Sequence, residues 1–525
     1  MPNVKLPDHT PLETWQISKP AITGAKGVVA SQNIEAAQVG ASVLEEGGNA
    51  IDAAIATALA LTVSEPWMSG LGGGGFAIVH HAKSGETKCL DFGMIASKGL
   101  DTANYPILEG KDAPPDLFGW PAVVEDRNLQ GYHSIAVPGS CAGYAKLLGT
   151  YGSWSWADTI APAVALAERG HKVTWWSTLQ VAAEAGWLRN YETSKQVWMP
   201  NDLPPIVPDG AHVCLDMGEF AATLRRLQQE GPSDFYQGEI AKKLVRDLNE
   251  GGSPISLEDL ASYEASWLDP IERKRSGHTY HLPPGYSAGP TFAGALTRIP
   301  ESFAGSAPDA DAYKAYADSL IQAYRVRLET MGHAGDVSDR SCTTHLCTAD
   351  SEGNMVSMTT TLLSRFGSRV VLPSTGVLMN NGVNWFDPRP GRPNSLAAGQ
   401  RPLSNMAPVL ATQGGKARFA LGASGGRKIL PCNFQLSSFI ADYGMDLDTA
   451  FQQPRVDVSL IDQIIADSRL DEATMAALRS VAPVDVQETV AFPANWSIPC
   501  AVMNENGALS AASHVFGPLN GAVGA

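Results

Sequence analysis

The spacing of apolar residues changes at Thr343, and this change constrains the fold more than any other feature of the sequence. Between about residues 141 and 331 the apolar residues mostly recur at helical spacing. Short β-branched runs follow, first at 343–349 and then at 354–362, with a turn between them that predicts a hairpin. Helical spacing resumes at 427–443. Helices, then a sheet, then helices indicate a layered α/β sandwich.

Two adjoining helices are predicted near the amino terminus. Asn33 can cap the first, and Asn49 can cap the second with Asp52 in the capping-box position. The second helix is apolar on all sides, so it should be buried. Further strands are predicted at 369–372, 376–379, 408–412, 417–421 and 496–504.

Composition narrows the class of partner. The chain has 525 residues, of which 44% are hydrophobic and 18% charged, and its net charge is −16. This charge disfavours nucleic acid and anionic membranes, so we expect a small-molecule partner. No segment has the length of a membrane span or the pattern of a signal peptide, and the seven cysteines lack CxxC pairs. We therefore expect reduced thiols and a cytoplasmic location, with no metal site.

The glycine-rich run at 70–75 formally matches GxGxxG. It leads into a predicted strand, whereas a dinucleotide site needs a helix at that point. We therefore interpret it as a tight turn in the core.

Thr343 begins the first strand of the predicted hairpin. A threonine hydroxyl is a weak nucleophile, but cleavage of the preceding peptide bond would give this residue a free α-amine with a pKa of about 8. The amine could then act as the general base for its own hydroxyl. On a strand, Thr343 could equally be ordinary β-structure. We expect His345 to be structural, because strand alternation would turn it away from Thr343.

Several separate blocks of sequence resemble the γ-glutamyltranspeptidase family of N-terminal-nucleophile hydrolases. In the first two thirds of the chain these are GGNAIDA at 47–53, EP at 65–66, SGLGGGGF at 69–76 and AVPG at 136–139. In the last third they are TTH at 343–345, DSEGN at 350–354, FGS at 366–368, TGVL at 375–378, NN at 380–381 and RPLS at 401–404. Their number and order make chance similarity improbable.

The resemblance implies a four-layer αββα sandwich made as a precursor and cut between Cys342 and Thr343. Residues 1–342 would form a large subunit and residues 343–525 a small one, and two such heterodimers could pair again. The same resemblance implies that Thr343 is the nucleophile and that the hydroxyl of Thr361 lies near its amine. It also implies that the amides of Gly425 and Gly426 form the oxyanion hole, and it calls for no cofactor. The residues alone also allow non-catalytic interpretations. Gly425 and Gly426 could form an ordinary turn between a strand and a helix, and Thr361 could be a solvent-facing strand residue.

Four positions that correspond to substrate-binding residues of the family carry different residues in this sequence. Gly93 replaces an arginine and Trp385 replaces an acidic residue, so a cation for a carboxylate and an anion for an ammonium are both missing. Leu363 replaces an asparagine, and Asn405 follows Ser404 where the family has a second serine.

These changes predict an acyl pocket for an uncharged, partly apolar or aromatic group. Leu363 and Trp385 could instead fill core space.

Three functions follow from this comparison. The leading one is an N-terminal-threonine amidohydrolase whose acyl group is not ordinary γ-glutamyl. The second is a γ-glutamyl transferase or hydrolase that has rebuilt its grip with Asn405 and Arg365, although Arg365 could be an ordinary loop residue. The third is an uncut, non-catalytic binding protein. The segment before Thr343 is short, which leaves the efficiency of self-cleavage open.

Overall fold

The computed structural model describes residues 13–15, 17–112, 118–331, 341–492 and 495–525, with the side chains of 112, 341 and 342 outside this description. The strands are β1 Ile22–Gly24, β2 Gly27–Ser31, β3 Gly74–His81, β4 Glu86–Phe92, β5 Ile107–Asp112, β6 Pro121–Val123, β7 His171–Lys172, β8 Cys214–Leu215, β9 Ser266–Leu268, β10 Ile271–Arg275, β11 His278–Leu282, β12 Ser341–Asp350, β13 Met355–Ser364, β14 Val409–Gln413, β15 Lys416–Ser424, β16 Val456–Asp457, β17 Ile464–Asp467, β18 Val484–Gln487, β19 Ile498–Glu505, β20 Ala508–Ser513 and β21 Gly521–Gly524.

The helices cluster before β9 and after β15, with two more between β11 and β12. They are α1 Ile34–Glu45, α2 Ala50–Ser64, α3 Ser140–Tyr151, α4 Trp156–Arg169, α5 Trp175–Leu188, α6 Glu192–Trp198, α7 Phe220–Glu230, α8 Asp234–Gln237, α9 Glu239–Glu250, α10 Leu257–Ala261, α11 Gly289–Leu296, α12 Ala310–Thr330, α13 Ile429–Ala441, α14 Leu447–Gln452 and α15 Glu472–Arg479.

Two antiparallel sheets form the centre of the molecule. One has the strand order β1-β20-β19-β15-β14-β11-β10, and the other has the order β21-β2-β12-β13-β3-β4-β9. Strands β12 and β13 lie in the middle of the second sheet and face β15 of the first. Both sheets combine strands from before and after Thr343, so neither part of the chain completes a sheet alone.

Helices cover the outer face of each sheet and give the predicted four-layer αββα sandwich. Helices α2, α3 and α4 share one apolar core with the second sheet, while α11, α12 and α13 share another with the first. A third apolar cluster fills the space between the two sheets. Burial of apolar surface on both sides of each sheet is the main stabilising contribution to such a layered fold.

The local signals near the amino terminus are confirmed. Asn33 and Asn49 cap α1 and α2, Asp52 completes the capping box, and every residue of α2 is buried. Two predicted strands are wrong: residues 369–372 and 376–379 make only isolated bridges, one between Val371 and Leu378 and one between Met379 and Gly72.

Candidate active site

Thr343 lies at an irregularity in β12. Cys342 pairs with Leu363 and Thr344 pairs with Thr360, and the register shifts between these two pairs. Between these pairs β12 has the single residue Thr343, whereas β13 has two residues, Thr361 and Leu362. The extra residue of this β-bulge therefore belongs to β13, and Thr343 lies opposite it; such bulges are over-represented next to active sites. The predicted cleavage bond, between Cys342 and Thr343, is thus held at a local break in the ladder. Residues 332–340, which belong to the short segment before Thr343, lie outside the described part.

The hydroxyl of Thr343 donates a hydrogen bond to Thr361 Oγ1 at 3.3 Å. Thr361 Oγ1 also accepts the Leu363 backbone N–H at 2.8 Å. Both threonines are buried, with Thr343 only 4% exposed. The structure therefore brings the two predicted threonines together, and Thr361 does not face solvent.

An acidic residue lies on the other side of β12. Thr344 donates to Glu65 Oε2 at 2.7 Å, and complete burial raises the pKa of Glu65 to about 8. The carboxyl is therefore mostly protonated at neutral pH and anchors the residue that follows Thr343. Sequence reasoning identified the Glu65-Pro66 motif but not this contact.

His345 faces the space between the sheets. Its Nδ1 lies 2.9 Å from Thr359 Oγ1, and burial lowers its pKa to about 3, so the ring is neutral. Gly422 of the opposite sheet leaves room for it, since a Cβ there would lie 2.2 Å from His345 Cε1. The expectation that His345 alternates away from Thr343 was wrong, because residues two apart share a strand face.

Gly425 and Gly426 follow β15 in a turn that contacts β12. Their φ angles are 128° and 53°, the region that favours glycine. The turn is held from three sides: Ser497 Oγ donates to Ser424 O, Gln32 Nε2 donates to Ser424 Oγ at 2.8 Å, and Tyr324 Oη donates to Arg427 O. Backbone amides in such a fixed turn suit an oxyanion hole.

Gly93 lies beside a cation that is already paired. Arg401 Nη1 donates to Asp91 Oδ1 at 2.9 Å and to Gly93 O at 2.8 Å. A Cβ at position 93 would lie 3.1 Å from Asp91 Oδ1 and 3.4 Å from Arg401 Nη1. The space beside Gly93 is therefore bordered by this ion pair.

Leu363 and Trp385 belong to the apolar cluster between the sheets. The cluster also contains Phe118, Trp120 and Met406, and the rings of Phe118 and Trp120 stack at 5.5 Å. Leu363 has a φ of 85°, a conformation that costs about 1–3 kcal/mol for a non-glycine residue and often marks functional sites. Sequence reasoning missed Phe118 and Trp120, which no motif marks.

Ser404 and Asn405 lie in a loop tied to this cluster. Leu403 N donates to Asn394 Oδ1 at 2.9 Å, and Asn394 Nδ2 donates to Trp385 O at 2.6 Å. Arg327 of α12 donates to Ser404 O at 2.7 Å. The loop is therefore fixed on both sides.

Arg365 contacts a different part of the molecule. Its Nη1 lies 3.9 Å from Glu184 Oε1 on α5, and Glu184 also pairs with Arg369 at 3.1 Å. The structure therefore places Arg365 against an outer helix, whereas Gly93, Leu363, Trp385 and the 403–406 loop adjoin the inter-sheet space.

The rest of the described chain adds three observations. No three His, Cys, Asp or Glu side chains there come close enough together to hold a metal ion. The cysteines whose side chains are described are all free. Across the same ranges, no helix combines the length and apolar character needed to cross a bilayer.

Comparison with known proteins places these features in context. The sequence model of gamma-glutamyltranspeptidase matches residues 36–338 and 312–517. The acylase ACY 1 proenzyme of Pseudomonas sp. (strain SE83) is 33% identical over 479 residues, 83% of each chain. The glutathione hydrolase proenzyme of Bacillus subtilis (strain 168) is 28% identical over 507 residues, 85% of this chain and 83% of that one. A cephalosporin acylase structure from Bacillus halodurans superposes with a TM-score of 0.84 at 24% identity, covering 99% of both chains, which supports the fold.

Proposed function

Because the chain belongs to the γ-glutamyltranspeptidase family and is an enzyme of that family, we propose that it is an N-terminal-threonine amidohydrolase. It would be made as a precursor and cut between Cys342 and Thr343 into subunits of residues 1–342 and 343–525. The observation that carries the proposal is the position of Thr343 opposite the bulge of β13, with its hydroxyl hydrogen-bonded to Thr361. Two similar proteins are described as proenzymes, which agrees with a precursor.

Self-cleavage needs one addition and one hydrolysis. Thr343 Oγ1 adds to the carbonyl carbon of Cys342, the C–N bond breaks, and an ester joins the two residues. Water then hydrolyses this ester, which gives a carboxylate on Cys342 and a free amine on Thr343. Thr361 Oγ1 supports the first step, because it accepts the hydrogen bond that orients the attacking hydroxyl.

The freed amine then serves amide hydrolysis. With a pKa of about 8, it takes the proton from its own hydroxyl as Oγ1 attacks the acyl carbon of the substrate. The amides of Gly425 and Gly426 stabilise the oxyanion, the protonated amine of the substrate leaves, and an acyl ester remains on Thr343. Water activated by the same amine releases the acid and restores the enzyme.

The acyl group is proposed to be something other than γ-glutamyl. Leu363 and Trp385 lie in one apolar cluster, and Gly93 offers no side chain to grip a carboxylate. The nearest cation to Gly93 is Arg401, whose charge Asp91 already offsets. A rebuilt γ-glutamyl grip would need Arg365 to leave Glu184, and an aromatic or alkyl acyl group needs no such rearrangement.

The two subunits would stay associated after the cut, since both sheets contain strands from each part. A further pairing of two heterodimers and a cytoplasmic location remain part of the proposal. The free buried cysteines are compatible with a reducing compartment.

The test combines intact mass with an amide panel. We expect purified protein to show two chains whose masses sum to the full chain plus one water, and Thr343→Ala to remain uncut and inactive. The processed enzyme should hydrolyse aliphatic or aromatic acyl 4-nitroanilides faster than the γ-glutamyl 4-nitroanilide. Ordinary turnover of the γ-glutamyl compound would favour the rebuilt grip, and an uncut chain with no activity would favour the binding-protein alternative.

A further inference from the structure

A buried arginine without an acidic partner lies behind the Ser404–Asn405 loop. Arg327 is 2% exposed, and its guanidinium donates to Ser404 O at 2.7 Å, Ser287 O at 2.9 Å and Asn405 Oδ1 at 3.3 Å. Within the described ranges no carboxylate forms an ion pair with it. Burial lowers its pKa to about 10, so the group stays charged at neutral pH. All of its oxygen partners are therefore neutral.

This contact fixes which end of the Asn405 amide points outward. A guanidinium can only donate, so the oxygen of Asn405 faces Arg327 and the NH₂ group is turned away from it. In the described part of the chain Nδ2 makes no hydrogen bond. It is nevertheless absent from the set of fully buried polar atoms that lack a hydrogen-bond partner. Asn405 is 6% exposed, and its unpaired Nδ2 retains some accessible surface.

Along the chain, the neighbours of Asn405 are tied to the apolar cluster between the sheets. Leu403 is joined to Trp385 through Asn394, and Met406 packs in the same cluster as Leu363 and Trp385. Asn405 lies between Leu403 and Met406. Asn405 is therefore next, along the chain, to a residue of the cluster proposed to bind the acyl group.

We propose that Arg327 is a positioning residue that holds Asn405 as a hydrogen-bond donor toward the acyl group. The enzyme then selects an acyl chain that carries an uncharged acceptor, such as a ketone or amide carbonyl, next to apolar surface. This inference rests on the proposed function and specifies its substrate class. The positive charge at the oxygen end polarises the amide and strengthens donation from Nδ2. A carboxylate would lose more hydration in an apolar pocket than one amide donor returns.

The test uses two substrates that differ chiefly in one carbonyl oxygen, pentanoyl 4-nitroanilide and 4-oxopentanoyl 4-nitroanilide. We expect the kcat/KM of processed enzyme for the oxo compound to exceed that for pentanoyl by about tenfold or more, since a site built to hydrogen-bond one group rejects the analogue that lacks it. Asn405→Ala and Arg327→Met should both bring the ratio near one. Arg325→Met, an exposed position on the same helix, should leave the ratio unchanged.

A second variant keeps the test valid if Arg327→Met does not fold. Asn405→Asp offers Arg327 a carboxylate and presents no donor, so the ratio should fall to one or below. A merely structural Arg327 would change stability without changing this ratio. The inference would be overturned if the unmodified enzyme had equal kcat/KM for the two compounds, or if the ratio were unchanged in Asn405→Ala. Hydrolysis of the pentanoyl compound in either case would still support the proposed amidohydrolase activity. Failure to cut at Thr343 and to hydrolyse any amide would instead refute the proposed function.

Discussion

Replacement of Glu65 by Gln should remove a pH dependence of stability. Glu65 is completely buried against Thr344, and its pKa rises from 4.5 to about 8. Between these values the folded protein retains a proton that the unfolded chain releases, so the free energy of unfolding falls as pH rises from about 4.5 to 8. At 1.36 kcal/mol per pKa unit, the change is on the order of 4 kcal/mol. Below about 4.5 both states are protonated, and the contribution is fully present.

The assay is urea unfolding of the uncut Thr343→Ala protein at a series of pH values, with and without Glu65→Gln. Groups shared by the two proteins, such as His80 and His281, cancel in the difference. The difference in unfolding free energy should change by about 4 kcal/mol between pH 4.5 and 8. Glu45→Gln, an exposed position on α1, serves as the control. Parallel pH curves with and without Glu65 would refute the assignment of a protonated buried carboxyl.

Three further changes test the catalytic turn and the inter-sheet packing. Gly425→Ala should lower kcat by about a hundredfold with little change in KM in steady-state assays. The residue has a φ of 128°, and a new Cβ would lie 3.0 Å from Ser497 Cα, so the substitution would displace the amides proposed for the oxyanion hole. Tyr324→Phe should lower kcat about tenfold while self-cleavage on gels continues, since it frees the carbonyl of Arg427. Gly422→Ala should lower the melting temperature because its Cβ would meet His345, whereas Gly149→Ala, where a Cβ meets open space, should not.

The parts of the fold that follow from local sequence were predictable. The caps of α1 and α2 depend on side chains within a few residues of the helix start. The hairpin of β10 and β11 was not predicted, because the sequence around 272–276 is highly charged and such a sequence is typical of a solvent-exposed loop. The predicted strands at 369–372 and 376–379 do not form, because the backbone of Arg369 is in the left-handed region and Pro373 cannot donate a ladder hydrogen bond.

The residues of the candidate site also divide into those that a local motif marks and those that only a long-range contact reveals. Thr343, Thr361 and the glycine pair were identified because each lies in a compact motif, and their proximity follows from adjacent central strands. The contact between Arg327 and Asn405 joins residues 78 positions apart, and no local pattern marks it. Arg365 is a similar case, since its partner Glu184 lies far away along the chain on α5 and no local pattern marks their contact.

The most direct measurement is a peptide map of the enzyme trapped during turnover of a slow acyl substrate. The account predicts that the acyl mass is carried by the peptide that begins at Thr343, and that this peptide has a free amino terminus. An acyl mass on any other residue, or on a peptide that still runs through Cys342 and Thr343, would contradict it.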